Sequence, residues 1–180
     1  MARMKGGRVM QQVGGMYVSF FRGTPMLVTI LLVYYALQVF HLNVTPVFAV
    51  IIALGMSSTA YVAEIYRGSV NSIPPGQIEA AEMVGMTTAA IWMEILFPQA
   101  FRLSIPPLVS ETILTVKSSS LVSLVGVTEL TSTSQSIASS NFHPLELYVT
   151  AGAIYILINA LLYCVGIWME KRMVPGGKYA

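Results

Sequence analysis

Hydrophobic and polar positions fall in long blocks along this chain, not at short periods. Four blocks approach the length of a helical bilayer crossing, which takes about 20 apolar residues. They are residues 24–40 (TPMLVTILLVYYALQVF), 46–63 (PVFAVIIALGMSSTAYVA), 103–127 (LSIPPLVSETILTVKSSSLVSLVGV) and 147–169 (LYVTAGAIYILINALLYCVGIWM). The first two are slightly short. Aromatic residues at Tyr17, Phe20, Phe21, Tyr61 and Tyr66 extend them into the interfacial zone, where such rings concentrate. The third is more polar than the others. The serine- and threonine-rich stretch TSTSQSIASSNF before the fourth block is an interfacial helix or a plain loop.

Composition turns this pattern into a class. The chain is 55% hydrophobic and only 10% charged, with a mean hydropathy of +0.69, whereas soluble domains carry about a quarter charged residues. An all-α polytopic membrane protein with four transmembrane helices is expected, as one domain over residues 1–180. Its parts are an N-terminal cytoplasmic segment (1–23), two spans (24–65), a loop (66–102), two spans (103–169) and a tail (170–180).

Charge excludes several functions. Ten basic and eight acidic residues give a net charge of +2, with no basic patch for nucleic acid. All eight acids are glutamate, which removes the usual aspartate-based phosphoryl and metal sites. Cys164 is the single cysteine and lies inside an apolar block. His41 and His143 stand far apart without metal spacing, and no catalytic or metal-binding set emerges. The start, MARMKGGRVMQQVGG, is basic and has no apolar core of the signal-peptide kind after it.

Orientation follows from lysine and arginine. Arg3, Lys5, Arg8 and Arg22 precede the first span, Arg67 and Arg102 bracket the 66–102 loop, and Lys171, Arg172 and Lys178 follow the last span. Nine of the ten basic residues thus fall on one side, and Lys117 lies in a span. The positive-inside rule makes that side cytoplasmic, with the C-terminus there.

The cytoplasmic loop has its own pattern. Pro74-Pro75-Gly76 ends any continuation of the preceding helix, and QIEAAEMV then forms a short amphipathic helix. Ile78, Ala81 and Val84 share one face, with Glu79 and Glu82 on an adjacent stripe. Gly85 sits where a helix C-terminal glycine belongs. Thr87 or Thr88 caps a second helix, AAIWMEILF, which Pro98 is expected to stop. Helices resting on lipid usually carry lysine and arginine. Glutamates here argue for a protein partner.

Three charged positions lie in or at the spans. Glu64 and Arg67, three residues apart near the end of the second span, suit a structural ion pair. Glu111 and Lys117 lie in the third span, six residues apart and on different faces, so a direct pair needs a break between them. Ser118, Ser119 and Ser120 could supply that break, and Pro106-Pro107 is expected to kink the helix below.

The loop carries a resemblance. Glu79-Ala80-Ala81, Gly85, Ile95 and Phe97-Pro98 resemble the Glu-Ala-Ala loop of ABC-transporter permease subunits, where the family pattern ends in Leu-Pro. YVSFFRGTPMLV (17–28), SSTAYVAEIYRGSVNSIPPGQIEAAEMVGM (57–86) and FPQAFRLSIPPL (97–108) are similar to the polar amino acid uptake permeases, in order and spacing, over nearly the whole chain. The resemblance implies a permease subunit of a bacterial ABC importer in the cytoplasmic membrane. Glu79, Ala80, Ala81 and Gly85 would couple it to a separate ATPase subunit. ATP and Mg would sit on that partner, and no cofactor on this chain, which has no G-x-x-x-x-G-K-[ST] loop and is not expected to be an enzyme.

It further implies a second permease subunit, identical or related, and an extracytoplasmic substrate-binding protein. Glu111, Lys117, Ser118, Ser119 and Ser120 become candidates for the translocation path, since a zwitterionic amino acid needs both an anionic and a cationic partner. The alternative for Lys117 is snorkelling or pairing with a partner subunit. The family usually has Lys-Asp-Thr-Ser-Leu here; this chain has Lys117-Ser118-Ser119-Ser120-Leu121. Family members usually have a span before the Arg-Gly-Thr-Pro segment, and this chain is expected to lack it. A truncated, non-transporting assembly subunit and an ATP-independent transporter or channel are the rival functions.

Overall fold

The computed structural model of the protein describes residues 8–42 and 44–173. The expectations resting on Arg3, Lys5 and Lys178 lie outside the described residues. Those described are helical, with no strand among them.

Two helices precede the first long span. α1 (Arg8–Gly23) and α2 (Met26–Val39) meet at 113°. The break follows from Gly23-Thr24-Pro25. Proline lacks an N–H and forces the preceding residue out of the helical region. Thr24 closes α1, its amide and hydroxyl both donating to the Phe20 carbonyl at 3.0 and 2.8 Å. The expected crossing over 24–40 is met by α2 only together with α1. α2 has 14 residues, about 21 Å at 1.5 Å per residue, against about 30 Å of hydrocarbon. Only α1 and α2 together pass as one bent span, and α1 turns most of the expected N-terminal segment into helix.

Three helical segments are long and apolar enough to cross alone: Pro46–Asn71, Thr88–Val125 and Pro144–Met173. The first is α3. Thr45 caps it, and Ala49, Ala53, Ser57 and Ala60 form a buried small-residue face. Without a hydrophobic drive between helices in lipid, such faces let backbones approach closely. Ile30 of α2, Val50 and Ala53 of α3, and Val122 and Val125 from the end of the second segment pack there into one core.

The second segment departs from expectation. Pro98 does not stop a separate helix. α5 (Thr88–Ala90) passes into a π-helical stretch (Ile91–Leu96) and on into α6 (Phe97–Ser118) without interruption. A π stretch widens the turn just before Pro98, so the missing proline amide and its ring fall where the bonding pattern of the continuous helix changes. Pro106 and Pro107 are likewise inside α6, which continues through them. A 3-10 stretch (Ser119–Val125) then tightens the end, closed by Gly126 at φ +84°.

The last described elements are α7 (Leu130–Asn141) and α8 (Pro144–Met173). The serine-rich stretch is thus a helix. α8 closes tightly on α6: a Cβ on Gly166 would lie 2.6 Å from a methyl of Val109, so only glycine fits.

Candidate functional site

The loop after α3 folds into an elbow. α4 (Pro75–Met83) starts at Pro75, whose missing amide costs nothing in a first turn. It ends in a Schellman arrangement: the Met86 amide donates to Ala81 O and the Gly85 amide to Glu82 O, both at 3.0 Å. Gly85 has φ +81°, which for an L residue with a Cβ costs about 1–2 kcal/mol. Thr87 caps the next helix, its hydroxyl accepting from the Ala90 amide at 3.3 Å.

One face of the elbow is locked. Ile73, Ala81, Ile91, Leu96 and Ala100 form a second buried core, with Ile78 and Met86 packed against it. The Gln99 amide also donates to the Gln77 side-chain oxygen at 2.7 Å, tying the first turn of α4 to the base of α6. The opposite face is open. Glu79, Ala80, Glu82 and Gly85 are exposed, and Met83 and Val84 are 90% and 78% exposed. Of the residues singled out from the sequence, Glu79, Ala80 and Gly85 face outward, while Ala81 is buried at 5% and holds the helix to its base. Val84, expected beside Ile78 and Ala81, points outward because the helix ends at that residue. The exposed apolar pair Met83 and Val84 is missed by the spacing, since only the helix end turns them out.

Glu64 and Arg67 form the expected pair. The Arg67 guanidinium engages both carboxylate oxygens, Nε at 2.8 Å. A third member was not visible from spacing: Arg22 of α1 lies 3.4 Å from the same carboxylate and 5.7 Å above the Tyr61 ring. With the Tyr17 hydroxyl bonded to Met56 O at 2.7 Å, this pins α1 to α3.

The structure does not join Glu111 to Lys117. α6 runs unbroken from one to the other, and the tightened turn begins only at Ser119, beyond both. Glu111 is 8% exposed, against the Thr115 hydroxyl, which meets Ser58 of α3 at 3.4 Å. Lys117 is exposed and has no ion pair among the described residues. The Ser119 and Ser120 hydroxyls donate to the carbonyls of Val116 and Lys117 at 2.7 and 2.8 Å, satisfying backbone within their own chain. Ser118 is half-buried at the end of α6. Glu111 and Lys117 therefore present an acid and a base to different surroundings.

At the far end, Glu129 caps α7. Its carboxylate accepts from the Thr131 and Ser132 amides at 2.7 Å each and from the Tyr155 hydroxyl of α8 at 3.1 Å. Burial pushes this carboxyl up, but the two amides and the tyrosine outweigh it and hold it below the usual carboxylate range. His143 lies 3.4 Å from Glu146 at the start of α8. Among the described residues no three potential ligands gather into a metal site.

Long apolar helices, a small-residue interface and an elbow with one locked face define a multi-pass helical membrane protein. Residues 1–175 match the family described as binding-protein-dependent transport system inner membrane component. The chain belongs to that family and is a permease subunit of the ABC importer type. It is 38% identical over 174 residues to the L-cystine transport system permease protein TcyB of Bacillus subtilis, covering 96% of this chain and 74% of that one. It is 33% identical to the glutamine transport system permease protein GlnP of Escherichia coli K12, covering 96% and 80%. Its fold matches a crystal structure of an amino acid ABC transporter with histidines at a TM-score of 0.88 and 35% identity, covering 94% of this chain and 79% of that one. The fold alone extends to the MetNI methionine ABC transporter, at a TM-score of 0.77 and 17% identity.

Proposed function

We propose that this chain passes polar amino acids through the cytoplasmic membrane as one of two permease subunits, driven by ATP hydrolysis on a separate ATPase. The α4 end and the C-terminus face the cytoplasm, and an extracytoplasmic binding protein delivers substrate at the α7 end. The chain itself binds no cofactor; ATP and Mg belong to the ATPase.

The observation that carries this is the two-sided elbow. Ala81, Ile78 and the Gln77–Gln99 bond fix α4 from within, so the helix moves with the base of α6. Glu79, Ala80, Glu82, Met83 and Val84 are left exposed, a small patch of two carboxylates and two apolar side chains. A rigid helix anchored on one face transmits a push from the other. Glu79 offers charge-assisted hydrogen bonds, Ala80 allows close approach, and Gly85 sets the exit of the chain. The amino acid class is supported by the relatives, which are named for cystine and glutamine. On the path, Lys117 is the cation available to a substrate carboxylate, with the Ser118–Ser120 turn beside it. Glu111 lines the α3–α6 side.

Co-purification from native membranes tests the reading, comparing wild type with a Glu79→Arg/Gly85→Asp variant. Retention of an ATPase by wild type and its loss in the variant is the expected result. Uptake of labelled amino acid that persists without any ATPase would replace it with an ATP-independent transporter.

A further inference from the structure

A cleft of about 410 Å³ opens between the base of α6 and the last turn of α8, lined by Phe97, Pro98, Phe101, Arg102, Arg172 and Met173. The close contact of Gly166 with Val109 sets the depth of its two arginines. Arg102 lies seven residues before Val109 on α6, and Arg172 six residues after Gly166 on α8. At 1.5 Å per residue both stand about 10 Å below that contact, at one level, on antiparallel helices.

Neither arginine has a carboxylate partner among the described residues, and no acid lines the cleft. Arg172 is held over the Trp168 ring at 4.6 Å, which leaves its edge donors free. Phe97 and Phe101 stack with centroids 6.4 Å apart and are exposed. The cleft thus pairs two unspent guanidinium groups with an aromatic wall at the ends of two membrane spans, the level of a lipid headgroup.

We infer that this cleft holds the phosphate of an anionic phospholipid of the leaflet on the α4 side, with the acyl chains along Phe97 and Phe101. Charge complementarity fixes the class. Paired guanidinium groups bind phosphate oxygens bidentately, and an extra negative charge on the lipid adds to the attraction. Placement argues against the ATPase as occupant. Leu96 and Ala100 face the core beneath α4, whereas Phe97 and Phe101 lie about 100° further round the helix. Glu94, one turn nearer the α4 end, is exposed and stands outside the lining.

Trp168 provides the reporter. The full chain carrying Trp92→Phe, which leaves Trp168 as its single tryptophan, is placed in phosphatidylcholine nanodiscs. Brominated phosphatidylglycerol or brominated phosphatidylcholine is titrated in, and quenching is followed. Each basic residue near the surface is worth about 1 kcal/mol toward an anionic lipid, so two predict a preference of about 30-fold. Phosphatidylglycerol should quench at the lower mole fraction. Arg102→Gln/Arg172→Gln should abolish the preference, Lys171→Gln should keep it, and millimolar inorganic phosphate should not displace the lipid. Equal quenching by the two lipids in the otherwise wild-type chain overturns the inference, without reliance on how the arginine variants fold. So does an unchanged preference in the double variant, or loss of the preference in phosphate, which would mark a soluble-anion site instead.

Discussion

At the α4 end, Glu79 and Glu82 stand exposed with no bonded partner among the described residues. At the α7 end, Glu129 is engaged by two backbone amides and a tyrosine of the neighbouring helix. Both regions are short helical connectors between membrane spans, and both carry glutamate. Glu129 satisfies donors that α7 would otherwise leave unpaired, so its charge serves the fold. The α4 carboxylates satisfy nothing in their own chain. The helix needs no glutamate for its own stability, yet exposes two beside bare Met83 and Val84, the patch on which the proposed docking of an ATPase rests. The buried sides differ as well: α4 rests on an apolar core, while α7 is joined to α8 partly through the Glu129–Tyr155 bond.

The sharpest way to break this contrast is to change the charge at each end. Glu79→Arg/Gly85→Asp should lower ATP-driven uptake more than tenfold and release the ATPase, an effect of more than about 1.4 kcal/mol on coupling. Glu129→Gln should leave the ATPase bound. Equal loss from both would mean that the α4 variant acts through misfolding.

Overpacking the locked face comes next. Ala81→Leu forces a larger side chain into the core beneath α4, at a cost of about 1–3 kcal/mol. The melting temperature in detergent should fall and uptake with it, although every exposed residue of the elbow is unchanged. Ala80→Leu, on the open face, should leave the melting temperature alone while weakening ATPase retention.

Glu129→Ala removes the cap and should destabilise by about 1 kcal/mol, read as a lower melting temperature with near-normal uptake of what remains folded. Its pH dependence has a definite sign. The folded carboxyl titrates below its unfolded value of about 4.3, so its contribution is complete above that value. It is lost as pH falls through the lower folded value. Wild type should therefore lose stability below about pH 4 more steeply than Glu129→Ala, and parallel profiles would refute the cap's contribution.

The smallest effect belongs to the Arg22–Glu64–Arg67 group. Its side chains are between 25% and 63% exposed, and exposed pairs contribute about 0.2–1 kcal/mol. Arg22→Gln should barely shift the melting temperature but should increase amide exchange in α1, which relies on this contact and the Tyr17 bond for its seat on α3.

Much of this was legible from local pattern. Three crossings, the position of α4, the Gly85 turn, the Thr87 cap and the Glu64–Arg67 pair each depend on residues within one or two turns of each other. Proline misled twice. At Pro98 a helix end was expected, but the π stretch beside it absorbs the misfit. At 24–40 the apolar run was read as a span by itself, but Pro25 starts a 14-residue helix that reaches the length of a crossing only together with α1. The expected break between Glu111 and Lys117 is absent: the tightened stretch begins at Ser119, two residues beyond Lys117, where the Ser119 and Ser120 hydroxyls bond back to the carbonyls of Val116 and Lys117.

Apolar runs, the lysine and arginine bias and the loop's turn residues were sufficient for a helical membrane protein with an elbow between its spans, and the resemblance added that it is a permease. They suffice because helix formation, burial in lipid and turn chemistry are short-range along the chain. Which alanine of the elbow turns inward, that Arg22 joins Glu64, that Gln77 meets Gln99, that Glu129 holds Tyr155 and that two arginines converge below Gly166 came from packing alone. The four pairs among them join residues 22 to 70 positions apart. Their partners are set by how helices rotate and approach, which no periodicity within one helix encodes.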